Sequence, residues 1–308
     1  MDFWRERSLA RPGGPALAIA VTAATAVMIL TACSTAVPPG RAPQTPRAGN
    51  ASADGHAYTP QSGGRIWMIT RAALAQLLAD PSTLVQLAGA QVYEILQPGQ
   101  QPLPGFSAET VFTFASASAL TAAVNGRQIP AGTYGLLYDP EAWDFTPLAE
   151  QENPVQAATQ AAAAAHAHGL RLIVAPALNL TTVLAPTSRL PRWQQFLDLN
   201  LIGGLAKVAD VVELQAQSLE RDTATYASFV QAAAEQARAS KSGISVLAGL
   251  STNPPGEPVD SQQLTAAIQA TKSIVDGYWL NIPGQGPQCP TCNAARPDIA
   301  IETILGIG

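Results

Sequence analysis

From residue 66 onward the chain alternates short apolar runs with segments of helical or irregular character. The runs fall at 66–70, 92–96, 111–115, 134–139, 172–176, 211–216, 244–250 and 278–282. Several are apolar at both odd and even positions, as a parallel strand covered on both faces requires. The segments between them predict helices. Asn153-Pro154 opens a long alanine-rich one that stops at Gly169. Residues 193–208 carry an amphipathic period, 223–240 run to Gly243, and 260–275 stop before Gly277. Proline at the start and glycine at the end follow the usual helix asymmetry. Residues 71–88 supply a first crossover and 116–126 a short one, whereas 97–109 is rich in Pro and Gly with no helical period. Eight strands in this alternation predict an α/β fold, a somewhat degenerate (β/α)8 TIM barrel.

The first 64 residues follow other rules. Arg5, Arg7 and Arg11 form a basic start, residues 15–30 are uncharged and apolar, and the run ends in Leu30-Thr31-Ala32-Cys33. This pattern predicts a bacterial lipoprotein signal peptide over 1–32, with Cys33 as the lipidation site. The alternative is a membrane anchor, for which 16 apolar residues are short against the roughly 20 a span needs. Residues 33–63, rich in Pro, Gly, Ser, Thr and Ala, read as a flexible tether. Residues 64–308 then make the barrel domain. The expected location is the outer face of the bacterial cytoplasmic membrane, with the lipid on Cys33 as the membrane partner.

Charge narrows the partners. The chain is −5 overall; residues 1–32 hold three Arg against Asp2 and Glu6, so the remainder has 14 basic and 20 acidic groups. Only three of those basic groups are Lys, and they do not cluster, which argues against nucleic acid. Cys289 and Cys292, in Cys-Pro-Thr-Cys, read as a local disulfide outside the cytoplasm. A zinc site would want a second ligand pair nearby, so no metal is expected. The histidines are His56, His166 and His168, too few and too scattered for a Ser-His-Asp triad or a histidine metal site. There is no Gly-x-Gly-x-x-Gly or phosphate-binding loop, and no cofactor is expected.

The candidate chemistry lies where strands end. Asp139-Pro140-Glu141 follows the fourth run, with Trp143 two residues on. In an extended chain positions i and i+2 share a face, so Asp139 and Glu141 project together, as a general acid and its tuning partner would. The plainer alternative is an Asp-Pro turn with Glu141 capping the next helix. Glu213, Gln215 and Gln217 also stand at spacing two, as do Trp279 and Asn281. Tyr93, Tyr138 and Asn179 complete the expected binding set, and Ser251 and Asn253 close the seventh run. Carboxylates, amides and aromatics in one cleft suit a polyhydroxylated ligand, with rings stacking on sugar faces and amides bonding hydroxyls.

At these residues the chain resembles glycoside hydrolase family 18, the chitinases and their relatives, in strand order over about 64–290. There the fourth strand ends in Asp-x-Glu, matched by Tyr138-Asp139-Pro140-Glu141. The resemblance implies that Glu141 protonates the glycosidic oxygen with Asp139 as its partner, Glu141 being raised in pKa by that neighbour and by partial burial. It also places Trp279 as the floor of the sugar site. Two further Asp of the family pattern fall here on Tyr134 and Leu137, and Gln215 and Gln217 occupy the region of its sixth-strand Tyr. The expectation is a glycoside hydrolase-like lipoprotein acting on a cell-envelope or extracellular glycan. The alternatives are a non-catalytic glycan-binding or scaffold lipoprotein on the same barrel, or a solute-binding lipoprotein. The last would need two lobes and a hinge, which the even strand–helix series argues against.

Overall fold

In a computed structural model the described residues are 65–256, 258–286 and 289–307. The expected signal peptide, the tether and Cys33 lie outside them. Eight parallel strands close into a barrel in chain order, with the last pairing the first. They are β1 (Ile66–Thr70), β2 (Gln91–Leu96), β3 (Glu109–Phe114), β4 (Gly135–Tyr138), β5 (Arg171–Val174), β6 (Val211–Leu214), β7 (Ser245–Ser251) and β8 (Gly277–Asn281). All eight apolar runs form the strands expected of them.

Each strand is buried on both faces because it separates two cores. Ile66, Met68, Leu137, Ile173 and Leu247 fill the barrel interior, while Leu136, Leu172, Val174 and Val212 pack outward against the helices. The alternation within Gly135-Leu136-Leu137-Tyr138 is the period of two that a strand imposes. At the closing seam β8 begins on Gly277, where an added Cβ would run into the Ile66 carbonyl oxygen.

The crossovers follow their caps. Thr70 and Asp80 accept from backbone amides at the starts of helices Arg71–Leu77 and Pro81–Ala88. Ser116 caps Ala117–Asn125, Asp222 caps Thr223–Ser240, and Asp260 forms a capping box with Gln263 over Ser261–Thr271. The alanine-rich helix is Pro154–His166. As expected, the β2–β3 connection contains no helix. It is held instead by buried Glu94, whose two carboxyl oxygens accept from the Leu103 amide at 2.9 and 3.2 Å.

Two features differ from the expected elements. The helix expected over 193–208 is two pieces, Arg192–Asp198 and Leu201–Ala206, because Asn200 takes a left-handed conformation with φ 47°, a region Asn visits more readily than most residues. A last helix, Pro297–Gly306, packs Ile299, Ala300 and Ile304 into the outer core; the apolar-run reading did not identify it. Cys289 and Cys292 are disulfide-bonded, as expected. Among the described residues no helix is long and apolar enough to cross a membrane.

Candidate active site

The β4 exit is tied to its neighbours by backbone bonds before any side chain is considered. Asp139 N donates to Phe114 O at 2.9 Å, Ala175 N to Tyr138 O at 2.9 Å and Ala177 N to Pro140 O at 3.0 Å. Asn179, in the short 3-10 turn Leu178–Leu180, then clamps the loop. Its Oδ1 accepts from Ala142 N at 2.8 Å, and its Nδ2 donates to Glu141 Oε2 at 3.3 Å. On the other side Gln215 Nε2 donates to Asp139 Oδ1 at 2.6 Å and to Ala175 O at 2.8 Å. Gln217 Nε2 reaches Gln215 Oε1 at 3.4 Å. The network Asn179–Glu141 and Asp139–Gln215–Gln217 therefore spans the exits of β4, β5 and β6. Although β6 ends at Leu214 and Gln217 opens a 3-10 turn, the three residues spaced by two still converge.

Three carboxyl groups meet here in a poorly solvated place. Burial raises Glu141 above the usual carboxylate range, against the opposing bond from Asn179. Asp139 is raised well above its usual range, first by burial and then by negative Glu141, with the Gln215 bond pulling the other way. The expected mutual repulsion thus bears on Asp139, and the shift of Glu141 comes from burial. The third carboxyl is Glu213, fully buried and also raised, by burial first and by Asp139 second. Neither of its oxygens has a hydrogen-bond partner among the described residues. It fits only because β7 carries Gly249 beside it: an added Cβ there would lie 2.8 Å from Glu213 Oε1 and would also meet Gln217 Oε1.

Trp279 occupies the barrel interior, 7% exposed, paired in register with Met68 on one side and Gly249 on the other. Its Nε1 has no partner among the described residues. Asn281 sits half-buried at the β8 exit, level with Ser251. Buried Asn253 donates to Pro283 O at 2.8 Å and holds the β7 and β8 loops together. Trp143 stands half-buried on the rim beyond Glu141.

Two expected binding residues are elsewhere. Tyr138 is fully buried and faces the helices, its hydroxyl donating to Glu150 at 3.2 Å. Neighbours on a strand point to opposite faces, so Asp139 facing in turns Tyr138 out. Tyr93 does face the barrel, but at its amino-terminal end. Its hydroxyl lies 3.0 Å from that of Tyr134, which precedes β4, and the Arg171 guanidinium at the start of β5 covers the Tyr134 ring at 5.2 Å. Neither tyrosine joins the cluster at the β4 to β6 exits. His166, bonded to Asp210 at 2.7 Å ahead of β6, is also away from it.

The structure adds residues that the apolar pattern did not reveal. Thr146 is buried, and its hydroxyl accepts from Glu141 N at 3.2 Å and Trp143 Nε1 at 2.9 Å while donating to Ala115 O at 2.8 Å. Glu150 accepts from Ala117 N, Ser118 N and the Ser116 and Ser118 hydroxyls. Burial alone would raise it, but these bonds outweigh burial and leave it below its usual range. Buried Glu220 accepts from Ser251 N at 3.0 Å. Each is polar and close in sequence to an exit, but nothing local distinguishes it. Among the described residues no group of three His, Cys, Asp or Glu could hold a metal.

Fold and site together define the class: a (β/α)8 barrel with a cluster of carboxyl and amide groups at the carboxyl ends of its strands. No protein-family model and no curated protein matches the chain. Among solved structures it is similar to a Bacteroides thetaiotaomicron protein assigned as an alpha-L-fucosidase, at 11% identity and a TM-score of 0.50, over 85% of this chain and 100% of that one. Others are the catalytic domain of a family 18 chitinase from the fern Peteris ryukyuensis, at 14% identity and 0.47 over 78% and 99%, and triosephosphate isomerase from Bartonella henselae, at 10% and 0.42 over 70% and 92%. The likeness to the first of these shows the barrel fold alone, and function has to be argued from the site.

Proposed function

We propose that the protein is a glycoside hydrolase acting on a cell-envelope or extracellular glycan, with Glu141 as the general acid. The observation that carries this reading is the Asp139–Glu141 pair. Two carboxyl groups share the β4 exit, one fixed by Asn179 and the other by Gln215, in a place where burial favours the protonated form. A protonated Glu141 donates to the glycosidic oxygen as its bond to the anomeric carbon breaks, positive charge develops on the sugar, and water then bonds to that carbon and gives up a proton to the Glu141 carboxylate. Asp139, the more strongly raised of the two, shares the pair's proton with Glu141 and stabilises that charge once ionised. Gln215 and Gln217 orient hydroxyls, and Trp279 stacks beneath the ring.

The test is hydrolysis of a panel of envelope glycans and chromogenic glycosides, with Glu141→Gln beside the wild type. We expect turnover to fall by about 10²–10⁴-fold, the usual worth of general acid catalysis, with ligand binding retained. Turnover that survives in Glu141→Gln refutes the assignment. A second reading has an observation in its favour: Tyr134 and Leu137, where family 18 carries further Asp, are a bonded tyrosine and a core leucine. A glycan-binding barrel without turnover would show binding to one glycan and hydrolysis of none. Lipidation at Cys33 with export to the outer face of the cytoplasmic membrane belongs to this proposal, and a mature amino terminus carrying acylated Cys33 in mass spectra would support it.

A further inference from the structure

The loop after Glu141 presents an aromatic surface. Phe145 is 59% exposed and Leu148 60%, and the Phe145 ring meets Trp143 edge to face with centroids 5.0 Å apart. A single exposed apolar side chain needs no explanation. Here two rings stand on a loop whose polar groups are bound from below. Trp143 N donates to Glu141 O at 3.0 Å, and buried Gln151 donates to Trp143 O at 2.9 Å and Thr146 O at 2.6 Å. Thr146 joins the loop to the β3 exit and to the backbone of Glu141 itself. The Trp143 ring is thus held in a set position relative to the acid, and the Phe145 ring packs against it. Asp144, exposed and between them in sequence, adds a hydroxyl acceptor.

Glu141 stands between two sets of residues: Asp139, bonded to Gln215, precedes it at the inward-facing end of β4, and Trp143 and Phe145 follow it on a loop that Thr146 ties to Ala115 beyond β3. We propose that the Trp143–Phe145 surface is the subsite for the leaving-group sugar, which stacks a pyranose face on Phe145 while the sugar whose bond is cleaved sits over the barrel mouth. This rests on the glycosidase reading and deepens it by giving the substrate a direction: the anomeric carbon under attack lies on the Asp139 side, and the departing unit lies on the Trp143–Phe145 side. Flat aromatic faces are suited to this because they bury the C–H face of a ring with little loss of side-chain freedom, the protein having already ordered them.

The experiment uses the full chain carrying Glu141→Gln, so that no ligand is consumed, and titrates saccharides calorimetrically. The probes are glucose, galactose, N-acetylglucosamine and N-acetylgalactosamine, each with its 1,4-linked di- and trisaccharide. We expect affinity to rise from mono- to disaccharide in one series. Phe145→Ala should remove about tenfold of that rise and leave the monosaccharide unchanged, and Phe145→Trp should restore it. A rise that persists in Phe145→Ala overturns the subsite and leaves the glycosidase reading standing, as does an equal loss for mono- and disaccharide. Binding of none of these saccharides overturns both. Phe145 is exposed, so its replacement leaves the core intact.

Discussion

Glu213 makes the dependence of stability on pH a test of the site. Its carboxyl is fully buried in the barrel, has no hydrogen-bond partner among the described residues, and is raised well above 4.5 by burial and then by Asp139. A carboxyl raised on folding binds its proton in the native state over a range where the unfolded chain has lost it. Stability is therefore greatest below the unfolded pKa and falls as pH rises toward the folded one, by about 1.4 kcal/mol per pH unit for each such group. While its native form stays protonated, Glu213 alone lowers stability by on the order of 1 kcal/mol for each pH unit above the unfolded value. Glu213→Gln keeps the shape and deletes the titration. In denaturant unfolding at pH 5, 6 and 7 the variant should lie near the wild type at pH 5 and gain on it steadily as pH rises, by on the order of 1 kcal/mol per pH unit while the native carboxyl holds its proton. In a chain of this size each kcal/mol corresponds to roughly 2–4 °C in Tm. Parallel wild-type and variant curves over this range would mean that Glu213 is solvated or ionised in the native protein, and the account of the site as three desolvated carboxyls would be wrong.

Gln215→Leu removes the donor that lowers Asp139, so the Asp139 pKa rises further. If Asp139 works ionised, the acidic limb of kcat/KM against pH moves to higher pH, a shift that mere loosening of the loop would not give. Tyr138→Phe deletes the bond to Glu150 and should cost about 1–2 kcal/mol in thermal or denaturant unfolding, with glycan affinity and turnover unchanged because the ring faces the helices.

Much of this protein is legible along the chain because the deciding interactions are local. The eight apolar runs fall on eight strands, residues 223–240 form one helix under the Asp222 cap, and Cys289 and Cys292 pair across three residues. Spacing by two placed Asp139 with Glu141 and Glu213 with Gln215 on common faces, since the direction of a strand side chain follows from the backbone alone. The same rule, applied strictly, turns Tyr138 away from Asp139. The height of a residue along the barrel axis does not follow from the chain. Tyr93 points inward as its period requires, yet it lies among Tyr134 and Arg171 at the amino-terminal end. Its level depends on how eight strands stagger as they close, a register summed around the whole ring. Thr146, Glu150 and Glu220 acquire their roles in the same non-local way, from partners such as Ala115, Ser116 and Ser251 that folding brings to them. So does Glu213: its place in an apolar strand is written in the sequence, but the desolvation that raises its pKa comes from the closed barrel, with room made by the missing side chain at Gly249.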